Sequence, residues 1–267
     1  MATKRGKDHP FFKKAENSPE VVAHRGGGGE WPEETIYAFR HAIDLGVDIL
    51  EMDVQMTSDG ELVLMHNEKV DETTNGKGKV KNLRWEDLKE LNAAASWGTA
   101  DEYKNIRIPR LEDVFKEFPN ARMNIEIKQN NSEVVAKLGD LIMKSGMADQ
   151  VLVASLWGHI LRKFRKLYKE VAISASILQV AGFNSLGTIF DGDGIPNMDA
   201  IQWKSRLITP LITKKFVKRA HDSNLVLHGW TVNDPTEMDR LRELEVDGII
   251  TDFPTTLLKI LGRPVNT

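Results

Sequence analysis

The chain has 267 residues, 41% of them hydrophobic and 28% charged, and its 36 basic and 39 acidic side chains leave a net charge of −3. That length suits one α/β barrel with a large core, and the near balance of charge excludes a global basic field for nucleic acid or a membrane surface. Cysteine is absent, which removes disulfides, thiolate catalysis and zinc–thiolate sites together.

Residues 1–18 read as a basic N-terminal extension, a solvated start carrying Lys4, Arg5, Lys7, Lys13 and Lys14, with His9 in the tail and Phe11-Phe12 as its one apolar pair. The segment lacks the apolar core of a signal peptide, and no stretch approaches the ~18 apolar residues of a membrane span, so a cytoplasmic location is the default expectation. The first strand candidate, 21–24, ends in His24 and Arg25 and opens into four glycines, Gly26 to Gly29. Further strand candidates follow at 48–55, 61–66, 123–128, 151–155, 171–176, 200–203, 225–231 and 248–252. Helix candidates lie between them at 33–45, 85–92, 110–118, 132–145, 157–169, 213–223, 235–245 and 254–261. Ser132 before Glu133 marks one helix start, and Asp234-Pro235 places a cap and then proline at another. Residues 177–199 are less regular, with room for one irregular helix and a Gly/Asp-rich loop.

Alternating strands and helices predict a parallel sheet with helices outside, an α/β fold of (β/α)8 TIM-barrel type. Nine strand candidates are one too many for it. Runs 48–55 and 61–66 are joined only by Met56 to Gly60, too short for a parallel crossover and suited to a hairpin. A turn centred on Ser58-Asp59 then brings His66 roughly opposite Glu51. The chain is expected to be one domain with a core of about 20–262, and 67–105 a small capping insertion over the barrel mouth.

Barrel sites collect at the C-terminal ends of strands. The residues there are His24 and Arg25, Glu51 and Asp53, His66, Glu126 and Lys128, Gln202 and Lys204, and Trp230. Glu51 and Asp53 are two apart on one strand, so both carboxylates face one side. An inward acidic group is costly unless a cation or donors satisfy it. Three converging carboxylates without cysteine suit a hard divalent cation, magnesium or calcium. Two histidines beside it suit general acid and general base, and Arg25 and Lys128 suit a phosphate. Together these are parts for metal-assisted cleavage of a phosphate ester. Trp230 at a strand end would form a wall against the substrate.

An ordered set of motifs resembles the glycerophosphodiester phosphodiesterases. It comprises H-R-G at 24–26, P-E-x-T at 32–35, E-x-D at 51–53, D-G at 59–60 and His66. I-P-x-L-E at 108–112, E-I-K at 126–128, W-T-V-N at 230–233 and G-I-I-T-D at 248–252 complete it. The resemblance runs from about Val21 to Leu261. It implies a barrel with an insertion after the second strand, and hydrolysis of a glycerophosphodiester to an alcohol and glycerol phosphate. It further implies a metal on Glu51, Asp53 and Glu126 and an acid–base pair of His24 and His66. His24 is the expected base and His66 the acid, although the sequence leaves the direction open.

Two positions depart from the family pattern. Glu34 stands where asparagine is usual, adding a negative charge that would loosen or redirect contacts near the first loop. Asn67 stands where aspartate is usual, orienting His66 without charge and lowering its proton affinity. An alternative of the same superfamily is a lysophospholipase D, with Trp31, Phe183 and Phe190 in mouth loops against an acyl chain; the related sphingomyelinase D toxins release a cyclic phosphate instead. A non-catalytic phosphate-binding barrel would lack an acid, base or ligand, and none is missing. An isomerase or aldolase would need a Schiff-base lysine or late phosphate loop, which Gly248 to Asp252 does not clearly supply. The expected partner is a small glycerophosphodiester or lysophospholipid, with the oligomeric state left open.

Overall fold

Short, wholly apolar or alternating runs form the strands of a parallel barrel. In the computed structural model, which describes residues 5–12, 19–186, 198–204 and 212–265, these are β1 (Glu20–Ala23), β2 (Ile49–Met56), β3 (Leu62–Leu64), β4 (Met123–Ile127), β5 (Val151–Ala154), β6 (Ala172–Ile173), β7 (Ala200–Lys204), β8 (Val226–Trp230) and β9 (Gly248–Thr251). Eight of them run in the order β6-β5-β4-β2-β1-β9-β8-β7, with β3 beside β2. The two ends of this path meet at a parallel bridge between Ser174 and Ala200. There the Ala175 N–H donates to the Ala200 carbonyl and the Asp199 N–H to the Ile173 carbonyl, each at 2.8 Å. Strands buried on both faces are what a helix-wrapped parallel sheet requires.

The expected hairpin is present, with its register moved by one residue. Val54 pairs with Leu64 and Met56 with Leu62, so the pattern carries His66 past the end of β3 toward Met52 instead of Glu51. The turn accounts for the shift: the Thr57 N–H donates to the Glu61 carbonyl at 2.9 Å, and Gly60 takes the left-handed φ of 87°.

Helices α1 (Ile36–Leu45), α2 (Trp85–Leu88), α3 (Leu111–Glu117), α4 (Ser132–Lys144), α5 (Gly158–Leu167), α6 (Ile177–Leu186), α7 (Lys214–Asp222), α8 (Pro235–Glu243) and α9 (Pro254–Ile260) lie along the chain. Capping follows the sequence at α8 and corrects it at α4, while α1, expected from 33, starts at Ile36 behind a Thr35 cap. Thr35 accepts the Ala38 N–H at 3.1 Å, and Asp234 accepts that of Glu237 at 3.0 Å ahead of Pro235. The cap of α4 is Asn131, which accepts the Glu133 N–H at 2.9 Å, and Ser132 is the first helical residue. Among the described residues no helix is long and apolar enough to cross a membrane. Residues 67–105 hold α2 and short 3-10 turns around a separate apolar cluster that includes Val70, Val80, Leu88 and Ile108.

The N-terminal residues differ from a solvated tail. Phe11 and Phe12 are buried against Val22, Ile49, Leu152, Ala172, Val226 and Ile250, the inward residues at the floor of the barrel. His9 is buried too, its Nε2 2.7 Å from the Glu170 carbonyl. The Gly6 N–H donates to Asp199 at 2.9 Å and the Arg122 guanidinium to the Phe11 carbonyl at 2.9 Å. Burying two aromatic rings outweighs the solvation of a basic stretch whose cationic tips stay partly wet. Lys4, Lys13 and Lys14 lie outside the described residues.

Candidate active site

β1 ends at Ala23, and the chain turns sharply through a 3-10 segment, His24–Gly26, in which Arg25 takes a left-handed φ of 52°. Gly26 and Gly27 follow at φ 80° and 93°. At Gly26 a Cβ would also stand 2.8 Å from the Phe39 ring, so packing and backbone both require glycine there. The N–H groups of Gly27 and Gly28 donate to the His24 carbonyl at 2.8 and 3.0 Å, and that of Gly29 to the Asp252 carbonyl at 3.0 Å. These groups serve the loop and are not offered to an anion. The glycines let the turn form, and the turn brings His24 and Arg25 to the acidic residues of β2.

Glu51 and Asp53 project inward from β2, and Glu126 on β4 lies in register with Asp53. One carboxylate oxygen from each of the three falls within 4.8 Å of the others. Glu51 and Asp53 are buried, and Glu126 nearly so. Two cations flank them. The Lys128 Nζ is 3.5 Å from Asp53 Oδ1 and 3.4 Å from Glu126 Oε1, and the Arg25 Nε is 3.6 Å from Asp53 Oδ2. These separations give ion pairs without hydrogen bonds. Both Asp53 oxygens and Glu126 Oε1 are buried with no hydrogen-bond partner. Burial and the neighbouring Asp53 push Glu51 up to about 8, against the pull of His24 and the Arg25 N–H. Burial and Asp53 raise Glu126 as well. Crowded carboxylates with unpaired oxygens fit a hard divalent cation. Arg25 also forks onto Glu33 at 3.2 and 3.3 Å.

The two histidines have different partners. His24 Nδ1 lies 2.6 Å from Asp252 Oδ1, and its Nε2 is 3.9 Å from Glu51. Asp252 in turn accepts from Asn233 Nδ2 at 2.5 Å, while Asn233 Oδ1 accepts the Asp252 N–H at 3.0 Å. Burial pulls the His24 proton affinity down, but Glu51 and Asp252 overcome it, and the net shift is upward. His66 Nδ1 lies 2.7 Å from the Asn67 side-chain oxygen, a neutral partner. Burial dominates there, aided by Arg25 and Lys128, and the His66 imidazole is shifted downward. Gln55 fixes this segment, donating to the carbonyls of Met65 at 2.9 Å and Asn67 at 2.6 Å. Asp252 and Asn233 have no role in the sequence reading beyond their motifs. The signal was a carboxylate one residue past the last strand, at the height where His24 leaves the first.

Glu34 is buried, at φ 59°, and its Oε1 accepts the Asp53 N–H at 2.9 Å. The added acid therefore does not loosen the loop; it is tied to the strand that carries the acidic pair. Burial, Asp53, Glu51 and Glu33 raise its carboxyl well above the ordinary range.

A cavity of about 150 Å³ opens beside the acidic cluster. Glu51 and Glu126 form one wall, Trp230 another, and the small Ala154, Ser174 and Ala175 leave the space. Gln202 and Lys204 line it too, and Lys204 Nζ sits 5.2 Å above the Trp230 ring. Trp230 meets the His24 ring edge-on at 6.4 Å. Among the described residues, Leu156 and Ile177, both exposed, stand at the cavity's apolar rim, with Leu178 next to Ile177 at 83% exposure. Two of the three aromatic residues expected there, Trp31 and Phe183, do not supply it. Trp31 stacks on His41, Phe183 is buried against Phe216, and Phe190 lies outside the described residues.

The sequence profile of the glycerophosphoryl diester phosphodiesterase family matches residues 24–180 and 192–256. A glycerophosphodiester phosphodiesterase of Caldanaerobacter subterraneus subsp. tengcongensis is 33% identical over 251 residues, 91% of this chain and 98% of its own. A human lysophospholipase D is 28% identical, covering 93% of this chain and 88% of its own. Among solved structures, an Oleispira antarctica phosphodiesterase in complex with the product sn-glycerol-3-phosphate superposes with a TM-score of 0.77 at 22% identity, covering 92% of this chain and 97% of its own.

Proposed function

The chain belongs to the glycerophosphoryl diester phosphodiesterase family, and from that premise we propose that it is a divalent-cation-dependent hydrolase of glycerophosphodiesters, yielding an alcohol and glycerol 3-phosphate. The observation that carries this reading is the buried group of Glu51, Asp53 and Glu126 with unpaired oxygens between two histidines and two cations. Magnesium or calcium suits those oxygen ligands. When bound, such a cation supplies Lewis-acid polarisation of a phosphoryl oxygen.

Arg25 and Lys128 hold the phosphodiester and offset charge that builds on its non-bridging oxygens. Water adds to phosphorus as the bond to the alcohol oxygen breaks. The partners of the imidazoles support the reverse of the roles expected from sequence. A carboxylate at Nδ1 favours the charged imidazolium of His24, whose Nε2 then donates a proton to the departing alkoxide. A neutral amide at Nδ1 holds that nitrogen's hydrogen on His66 and leaves Nε2 to accept the proton of water. Trp230 and the small residues Ala154 at the end of β5 and Ser174 and Ala175 just past β6 bound the space for the organic groups.

The test is turnover of His24→Ala and His66→Ala with two glycerol phosphodiesters, one of choline and one of p-nitrophenol. Both variants should lose about 10²–10⁴-fold on the choline ester. His24→Ala should recover on p-nitrophenol, which leaves without a proton; His66→Ala should not. Recovery by the other variant reverses the assignment, and near-normal turnover of either on choline ester removes the pair. Full activity in excess chelator removes the cation.

A second reading is a lysophospholipase D, favoured by the exposed Leu156, Ile177 and Leu178 at the cavity rim. Comparing turnover of glycerophosphocholine and lysophosphatidylcholine separates the two. A Leu178→Asp variant should lose activity on the lysolipid alone if the rim receives an acyl chain.

A further inference from the structure

β1 pairs with β2 only at Val22–Ile49 and Ala23–Leu50, and then turns away at His24. β3 pairs with β2 from Val54 onward. Between them the ladder is interrupted from Glu51 to the Asp53 N–H; the Asp53 carbonyl itself accepts the Met65 N–H at 3.0 Å, just past β3. Main-chain N–H groups in such a gap, buried under a barrel mouth, must find another acceptor or lose stability and definition. Side chains fill that role here. The Glu51 carboxylate accepts the Arg25 N–H at 2.8 Å, and Glu34 Oε1 accepts the Asp53 N–H at 2.9 Å.

The residue that closes the gap is held firmly. Glu34 is 3% exposed, its own N–H donates to the Arg25 carbonyl at 3.1 Å, and it begins the turn into α1, where Thr35 is the cap. Its φ of 59° is a conformation that costs a non-glycine residue free energy, so the surrounding contacts impose it. Its other oxygen, Oε2, is buried without a hydrogen-bond partner. A side chain that adopts an unfavourable backbone conformation, and leaves one oxygen unsatisfied, in order to reach a single main-chain N–H is fixing the residue that bears that N–H.

We propose that Glu34 is a positioning residue for the cation site: its side chain replaces a missing strand partner and fixes the main chain of Asp53. The inference rests on the cation-dependent reading above for its catalytic consequence, while its structural part stands without it. Glu34 does not touch substrate or the reacting atoms. It acts through Asp53, and the required property is a hydrogen-bond acceptor at that reach, which glutamine also offers.

The experiment compares the full-length protein with Glu34→Gln, which keeps the acceptor, Glu34→Leu, which removes it at similar volume, and Glu34→Ala. Magnesium and calcium affinities are measured by calorimetry, kcat and KM on glycerophosphocholine, and amide exchange at Asp53 by NMR. The leucine variant should bind cation about 10–100-fold more weakly, as expected when a group that orients a ligand is lost. Its kcat should fall with KM little changed, and the Asp53 amide should exchange faster. The glutamine variant should remain within about threefold of the parent, in keeping with the acceptor role. If leucine fails to fold, alanine carries the same comparison. Parent-like cation affinity and Asp53 exchange in the leucine or alanine variant overturns the proposal. Equal loss in the glutamine variant also overturns it, because the charge and not the acceptor would then matter. If the parent binds no cation, the earlier reading fails, and the Asp53 exchange rates alone decide this one.

Discussion

His24 and Asp252 are 228 residues apart in the chain and 2.6 Å apart in the fold. The parallel pairing of β1 with β9 brings them together. Ala23 lies in register with Thr251, so the residue after each strand meets the other. Asn233, on the loop after β8, completes the group by donating to Asp252 at 2.5 Å. Three strand ends thus share one acid–imidazole contact, and no short segment of the chain contains it.

Asp252→Asn keeps the size of the partner and removes its charge. We expect kcat on glycerophosphocholine to fall roughly 10–100-fold with little change in KM, the usual cost of losing a group that orients and charges an imidazole. The loss should shrink on the p-nitrophenol ester, where the proton from His24 is not needed. Steady-state kinetics on the two esters checks this, and an equal loss on both would place Asp252 outside the proton-donating arm.

Glu51→Gln relieves crowding among buried carboxylates. In chelator, the variant should melt about 2–4 °C above the parent, the response of a chain of this size to about 1 kcal/mol. Adding magnesium or calcium should raise the melting temperature of the parent by mass action and that of the variant far less. Activity should be lost in the variant under both conditions. Calorimetric melts with and without cation measure the effect, and a lower melting temperature in chelator contradicts it.

Phe11→Ala opens a hole in the barrel floor. The ring is fully buried against β-strand residues at the end opposite the candidate site. A loss of about 3–5 kcal/mol is expected, or a fall of roughly 10 °C in Tm. The kcat measured below the transition should stay close to that of the parent. A drop in stability smaller than that of an exposed phenylalanine replacement would mean that residues 5–12 are not part of the folded unit.

Tyr168 gives a pH dependence whose sign is fixed. Burial, the hydrogen bond to Asp140 at 2.7 Å and the Asp140 charge push its phenol up to about 12 from the ordinary 10. The fold therefore favours the protonated phenol. Its contribution is complete below pH 10 and is lost as pH rises through 12. Absorbance titration should show one late phenol that is absent in Tyr168→Phe, and the stability difference between the two proteins should close over that window. The same ring faces Gly139, where a Cβ would stand 2.0 Å from a ring carbon. Gly139→Ala should consequently destabilise by about 1–3 kcal/mol or more, with recovery when Tyr168 is shortened.

Much of the barrel and the candidate site was legible before the fold. A strand shows itself by its apolar run and a hairpin by the five residues that join β2 to β3. Glu51 and Asp53 share a face because side chains in a strand alternate with period 2. What stayed hidden depends on partners. Phe11 and Phe12 look like an isolated pair in a basic stretch until the barrel floor lies beneath them. Phe183 looked available at the mouth until α7 covered it with Phe216. Asn131, one residue before the expected cap, holds the α4 N-terminus because its carboxamide reaches an N–H that only the folded turn presents.

The sequence by itself determined which residues form strands, which carboxylates share a face, and which histidines end strands, because those follow from local backbone geometry. Tertiary structure decided that His24 has a charged partner in Asp252, that Glu34 accepts the Asp53 N–H, and that Leu156 and Ile177 lie on the cavity's apolar rim, whereas the neutral partner of His66 is its chain neighbour Asn67. The physical reason is closure. A hydrogen-bond partner or a packing neighbour is set by which strand ends meet around the barrel, and that depends on all eight parallel strands at once.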